Sequence, residues 1–185
     1  MCEETRDEKN DNSTHGKRQK TIIVVSGNAS AGKTSTIKNV AKNILERYAV
    51  DISRINWNAT EIKIIVTSNN SVTIFDNNGN SNTGHGKIKI GIASRGDDFE
   101  TVKENIDFFV KSKCDIIITA TRLRKSPNEV NGIAKDAGYQ IIWTSPIFVV
   151  PKTAMFENYQ DKINQLSATQ ICKIFDNILK GEYAS

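Results

Sequence analysis

From Thr21 onward, short apolar runs alternate with stretches in which apolar residues recur every three or four positions. Thr21–Ser26 is rich in β-branched residues and predicts a strand. Ile37, Val40, Ala41, Ile44, Leu45 and Tyr48 then share one helical face. Two runs, Glu61–Thr67 and Ser71–Phe75, flank Asn69-Asn70 and predict a hairpin. Lys87–Ser94 predicts another strand, and Phe99, Val102, Ile106, Phe109 and Val110 mark the helix after it. Asp115–Ala120, with Ile116-Ile-Ile118 running through it, has the pattern of a buried parallel strand. Ser126-Pro127-Asn128-Glu129 carries a helix start: a Ser N-cap, Pro at the first helical position and Glu to close a capping box. Gly138 is the expected stop, and Tyr139–Thr144 predicts the last strand. Helical patterning fills residues 153–180, with a second start at Ser167-Ala-Thr-Gln170 and a stop at Gly181.

This alternation predicts an α/β fold: a mostly parallel sheet with helices on both faces in three layers, and the hairpin as a small antiparallel addition. Residues 1–19 carry almost no apolar side chains and are expected to be a disordered tail, leaving residues 20–185 as one domain. The chain has 185 residues, 38% hydrophobic and 25% charged, which suits a water-soluble globular protein. No apolar run approaches a membrane span, and Met1-Cys-Glu-Glu-Thr-Arg-Asp is not the start of a signal peptide. Cys2, Cys114 and Cys172 are few and far apart, arguing against a disulfide framework or zinc site and for a reducing cytoplasm.

Net charge is +4. The tail through Lys20 balances five acids against five bases, so the surplus belongs to the folded body. A mild surplus suits a protein that binds polyanionic nucleotides and is too small to argue for a nucleic-acid partner.

The chemistry concentrates after the first strand, in Gly27-Asn28-Ala29-Ser30-Ala31-Gly32-Lys33-Thr34-Ser35. Glycines at both ends let the backbone turn tightly and aim N–H groups at phosphate oxygens. Lys33 would place a charge near the β/γ-phosphates, and Thr34 a hydroxyl on Mg²⁺. The helix that follows favours negative charge at its N-terminus. Strand, G-x-x-x-x-G-K-T and helix in this order resemble the Walker A motif of the P-loop NTPases. The resemblance implies nucleotide as ligand and ATP and Mg²⁺ as cofactors. The Asn/Thr-Lys-x-Asp pattern with which GTPases read guanine is lacking, as is an ABC-type signature.

A carboxylate is needed near the Mg²⁺. Asp76 follows Val72-Thr-Ile-Phe in Walker B style, and Asp97 follows the strand Ile88-Lys-Ile-Gly-Ile-Ala. Asp97 is preferred, because its strand leads into a helix and can lie parallel to the first; Asp98 is an alternative or an N-cap. Arg95 and the cluster Arg122-Leu-Arg124-Lys125 also follow strands, whose C-terminal loops converge on ligand in open α/β sheets. Arg122 is thus a candidate for stabilising charge on a transferring phosphoryl group, or else part of a solvated basic loop. Residues 76–86, rich in Gly and Asn, read as a surface insertion or a mobile substrate loop, and His85 within it stands too isolated for a metal site. By analogy with P-loop kinases, Trp143-Thr-Ser-Pro146 would contact adenine, although Trp143 equally suits a core. Gly91-Ile-Ala-Ser-Arg-Gly-Asp97 and Cys114-Asp-Ile-Ile-Ile-Thr-Ala-Thr-Arg122 are similar to stretches of small bacterial or phage ATP-binding proteins.

Three functions fit these residues. One is a kinase acting on a small-molecule or nucleotide acceptor, with Lys33, Asp97 and Arg122 catalytic and Thr34 and Asp97 on the metal. Another is an ATP-dependent switch or ATPase subunit acting on a protein partner. The third is a phosphate-binding protein without turnover.

Overall fold

The computed structural model of the chain describes residues 19–47, 53, 55–67, 71–74, 88–122, 127–147 and 156–180. In chain order these form β1 (Thr21–Ser26), α1 (Lys33–Arg47), β2 (Lys63–Thr67), β3 (Ser71–Ile74), β4 (Lys89–Ala93), α2 (Phe99–Lys111), β5 (Ile116–Thr121), α3 (Pro127–Asp136), β6 (Gln140–Thr144) and α4 (Phe156–Lys180). The tail, Asn69-Asn70, Asp76 with the 76–86 loop and its His85, the Arg124–Ser126 segment and Gly181 lie outside the described residues.

The strands form one sheet in the order β3-β2-β4-β5-β1-β6. β4, β5, β1 and β6 are mutually parallel, whereas β2 runs antiparallel to both β4 and β3. The fold is therefore α/β with a mostly parallel sheet, and the hairpin adds its two strands at one edge. β1 and β5 are buried at every position, as their Ile/Val-rich composition requires of central parallel strands.

Alternate residues of each strand serve opposite faces. Ile23, Val25, Ile92 and Ile118 pack with Ile37, Val40 and Ile44 of α1 and Ile171 and Phe175 of α4. Ile22, Val24 and Ile117 face the other way, onto Val102, Ile106 and Phe109 of α2 and Val130 of α3. Helices thus cover both faces, with α1 and α4 on one and α2 and α3 on the other.

The local signals explain several element ends. Asp98 caps α2 by accepting from Thr101 N at 2.8 Å. Pro127 occupies the first position of α3, and Gly138, at φ +75°, ends that helix in the left-handed conformation. The expected second start at Ser167 is corrected: α4 runs unbroken from Phe156 to Lys180. The Ser167 hydroxyl donates to Ile163 O, one turn back, and accepts from Ile147 N, both at 2.9 Å. It staples the chain after β6 to the middle of a helix, so it has no part in starting a new one.

Candidate functional site

Three loops leave the C-terminal ends of parallel strands and surround one open cleft of about 500 Å³. They are the glycine loop after β1, residues 94–97 after β4, and Arg122 after β5. Such a position, outside the carboxyl ends of parallel strands, is where open α/β sheets bind ligands.

The glycine loop is built from both ends. Gly27 N donates to Thr121 O at 3.2 Å, continuing the β1–β5 ladder by one bond. Gly32 sits at φ +75° and Ser30 at φ +59°, so the left-handed turns fall at these two residues. Gly27 adopts no positive φ; a side chain there would instead crowd Ala31. Ala29, Ser30, Ala31, Gly32, Lys33, Thr34 and Ser35 line the cleft. Gly27 and Asn28 do not line it but supply the carbonyls that hold Lys33.

Lys33 is the first residue of α1 and only 8% exposed. Its Nζ donates to Gly27 O at 2.9 Å and to Asn28 O at 2.8 Å. The ammonium is thereby folded back along the inside of its own loop. Burial pulls its pKa below the ordinary lysine value; Asp97 opposes this and Arg122 adds to it. α1 begins here with N–H groups that have no partner within the helix, beside the positive end of its dipole.

Asp97 and Arg122 meet across the cleft from Lys33. Arg122 Nε donates to Asp97 Oδ1 at 3.2 Å, and its Nη2 lies 3.1 Å from the same oxygen. The two residues expected to act separately, on metal and on phosphoryl group, thus form one exposed ion pair. Thr34 Oγ1 lies 3.5 Å from Ser94 O, at the limit of a hydrogen bond. Ser94 is buried and anchored to Ile62 in both directions, accepting at Oγ and donating from N. Arg95 reaches Glu61, 3.4 Å away, and both line the cleft.

Trp143 belongs elsewhere. It packs with the α2/α3 core and donates from Nε1 to Asn131 Oδ1 at 2.9 Å. Neither it nor Thr144, Ser145 and Pro146 lines the cleft. Glu61, Gln160 and Asn164 do line it, and none of them was marked by a motif. Asn164 had one legible signal, a polar residue on the apolar face of α4 beside Ile163 and Ala168.

Among the described residues no group of three or more His, Cys, Asp or Glu is placed to hold a metal. No described helix is long and apolar enough to cross a membrane. The fold and cleft define an α/β protein with a glycine loop and buried lysine at the C-terminal edge of a parallel sheet. No protein-family model, no curated protein and no solved structure matches the chain.

Proposed function

We propose that this protein is a P-loop nucleotide-binding protein that takes Mg-ATP in the glycine-loop cleft. Its activity in this reading is transfer of the γ-phosphoryl group to a small-molecule or nucleotide acceptor. The observation that carries it is the Lys33 ammonium, held by Gly27 O and Asn28 O inside a loop that opens onto α1. A buried cation beside unpartnered helix N–H groups is arranged for phosphate oxygens. The three-layer arrangement of the P-loop fold agrees with helices on both sheet faces.

The cleft also suits a hard divalent cation, because the Thr34 hydroxyl and the Asp97 carboxylate offer oxygen donors on its wall. When bound, Mg²⁺ would neutralise charge on the phosphate chain. Lys33 binds and orients the β/γ-phosphates. Arg122, released from Asp97, donates to the oxygens of the transferring group. Asp97, with Thr34, would hold the cation.

Titration with Mg-ATP followed by melting temperature tests the binding. Wild type is expected to be stabilised by about 2.7 kcal/mol at a hundredfold excess of ligand over Kd, and Lys33→Ala by far less. No shift with any nucleotide would sink the reading. ADP formed only with an acceptor marks a kinase, whereas rapid ADP formation without one marks the ATPase or switch.

A further inference from the structure

α4 brings a side chain to the cleft that the nucleotide-binding machinery above does not use. Asn164 is 2% exposed, yet it lines the cleft together with Gln160. Its Oδ1 accepts from Gln160 Nε2 at 3.2 Å, one helical turn away. Among the described residues its NH₂ makes no hydrogen bond. Nor is that nitrogen sealed off, since the fully buried and unpartnered side-chain atoms there are Thr36 Oγ1 and Thr119 Oγ1. The amide nitrogen therefore keeps a little accessible surface, on a residue that lines the cleft. Unspent donors on a buried amide are costly unless a ligand or water takes them up.

Their position narrows the ligand. A Cβ on Gly32 would overlap Asn164 Oδ1, so the amide lies against the residue from which the chain enters α1. A cation would have to share the amide oxygen with the Gln160 donor, whereas among the described residues the N–H donors have no partner to share with. The oxygen faces Gly32 and accepts from Gln160, so the hydrogen-bonding capacity the amide has left is N–H, in a cleft where the α1 N-terminus favours an anion. α4 is also fixed in place, since Arg47 of α1 pairs with Asp176 and Asn43 Nδ2 donates to Cys172 Sγ at 3.8 Å.

We propose that Asn164 is a phosphate ligand of the cleft, an assignment that rests on the nucleotide reading above. Its Nδ2 donates to an oxygen of the nucleotide's phosphate chain, and Gln160 is the positioning residue that holds Oδ1 and so sets the direction of the donors. The phosphate chain is then gripped from both sides, by the glycine loop and by the C-terminal helix.

Calorimetric titration of wild type and variants with Mg-ATP and with inorganic tripolyphosphate tests this. Asn164→Asp keeps the shape and the Gln160 bond but replaces the donors by an anionic oxygen. It is expected to weaken both probes about ten- to a hundredfold, measured at a temperature where the variant is folded. Gln160→Leu, at a half-buried position, is expected to weaken both by a smaller factor. Wild-type binding that Asn164→Asp leaves intact overturns the assignment and leaves the nucleotide reading standing. If Asn164→Asp does not fold, unchanged affinity in Gln160→Leu overturns it instead. Failure of wild type to bind either probe overturns both.

Discussion

Arg122 and Asp97 leave neighbouring parallel strands, β5 and β4, and close on each other over the cleft at 3.1 Å. Their side chains are 46% and 63% exposed, so the pair adds under about 1 kcal/mol to stability. Its value lies in placement. Arg122→Ala is predicted to melt within a few degrees of wild type while lowering phosphoryl transfer about 100- to 1000-fold. Asp97→Asn should likewise spare the fold and raise the Mg²⁺ concentration needed for half-maximal activity. Thermal unfolding beside initial rates checks both, and a parallel loss of stability and rate would refute the division.

The lowered pKa of Lys33 predicts how nucleotide affinity varies with pH. Burial disfavours the charged form of Lys33, and on the proposed reading a phosphate beside it would favour that form again. Mg-ATP binding is thus constant while Lys33 is protonated in both states. It weakens as pH rises through the lowered value, below the usual lysine range, and protons are taken up on binding there. Calorimetry in buffers of different ionisation enthalpy measures this uptake. Lys33→Arg, which stays charged, should show none.

Gly96, in the segment after β4, lies against the backbone of β5. A Cβ there would overlap the backbone carbonyl of Ala120, which cannot move without disturbing a fully buried strand. Gly96→Ala is predicted to cost about 1–3 kcal/mol and to displace Asp97 with it. Gly132, with open space around it in α3, is the control: Gly132→Ala should gain roughly 0.5–1 kcal/mol. Denaturant melts separate the two, and equal effects would count against the close approach.

Cys114 and Tyr139 make the fold sensitive to alkali. Burial pushes the Cys114 thiol up to about 12 from 9.0 and the Tyr139 hydroxyl up to about 12 from 10.0. Both are neutral in the folded protein, and the Tyr139 hydroxyl donates to Cys114 O. Their contribution is complete below pH 9 and is lost as pH rises from 9 towards 12, because the unfolded chain ionises first. Melting temperature is therefore predicted to fall over that window. Tyr139→Phe should flatten the part of the fall above pH 10, and a pH-independent melt would contradict the assignment.

Most elements were legible because parallel strands and amphipathic helices write their periods into the chain. Thr21–Ser26 and the Val102, Ile106, Phe109 face needed nothing beyond that. Strand order was not legible: that β5 inserts between β1 and β4 depends on which faces the helices cover. Within the site, Gly32 to Thr34 announced themselves by spacing, and Asp97 and Arg122 by following strands. Their mutual pairing did not, since it depends on how far each loop extends past the sheet. Asn164 lay beyond sequence reach for a different reason. A side-chain amide in mid-helix carries no motif, and only the docking of α4 on α1 brings it to Gly32.

β1 is the first strand in the chain, yet its partners are β5 and β6, with Thr21 in register with Ile116 and Gln140. While the protein is being made, the strand that carries the glycine loop has no neighbour until most of the chain has left the ribosome. Contacts of such long sequence separation form late, after the cost of closing the intervening chain has been met. The loop's fixed shape is thus among the last things folding completes. A nascent or truncated chain lacking β5 is without the neighbour that receives Gly27 N, so the loop takes its shape only in the nearly finished protein.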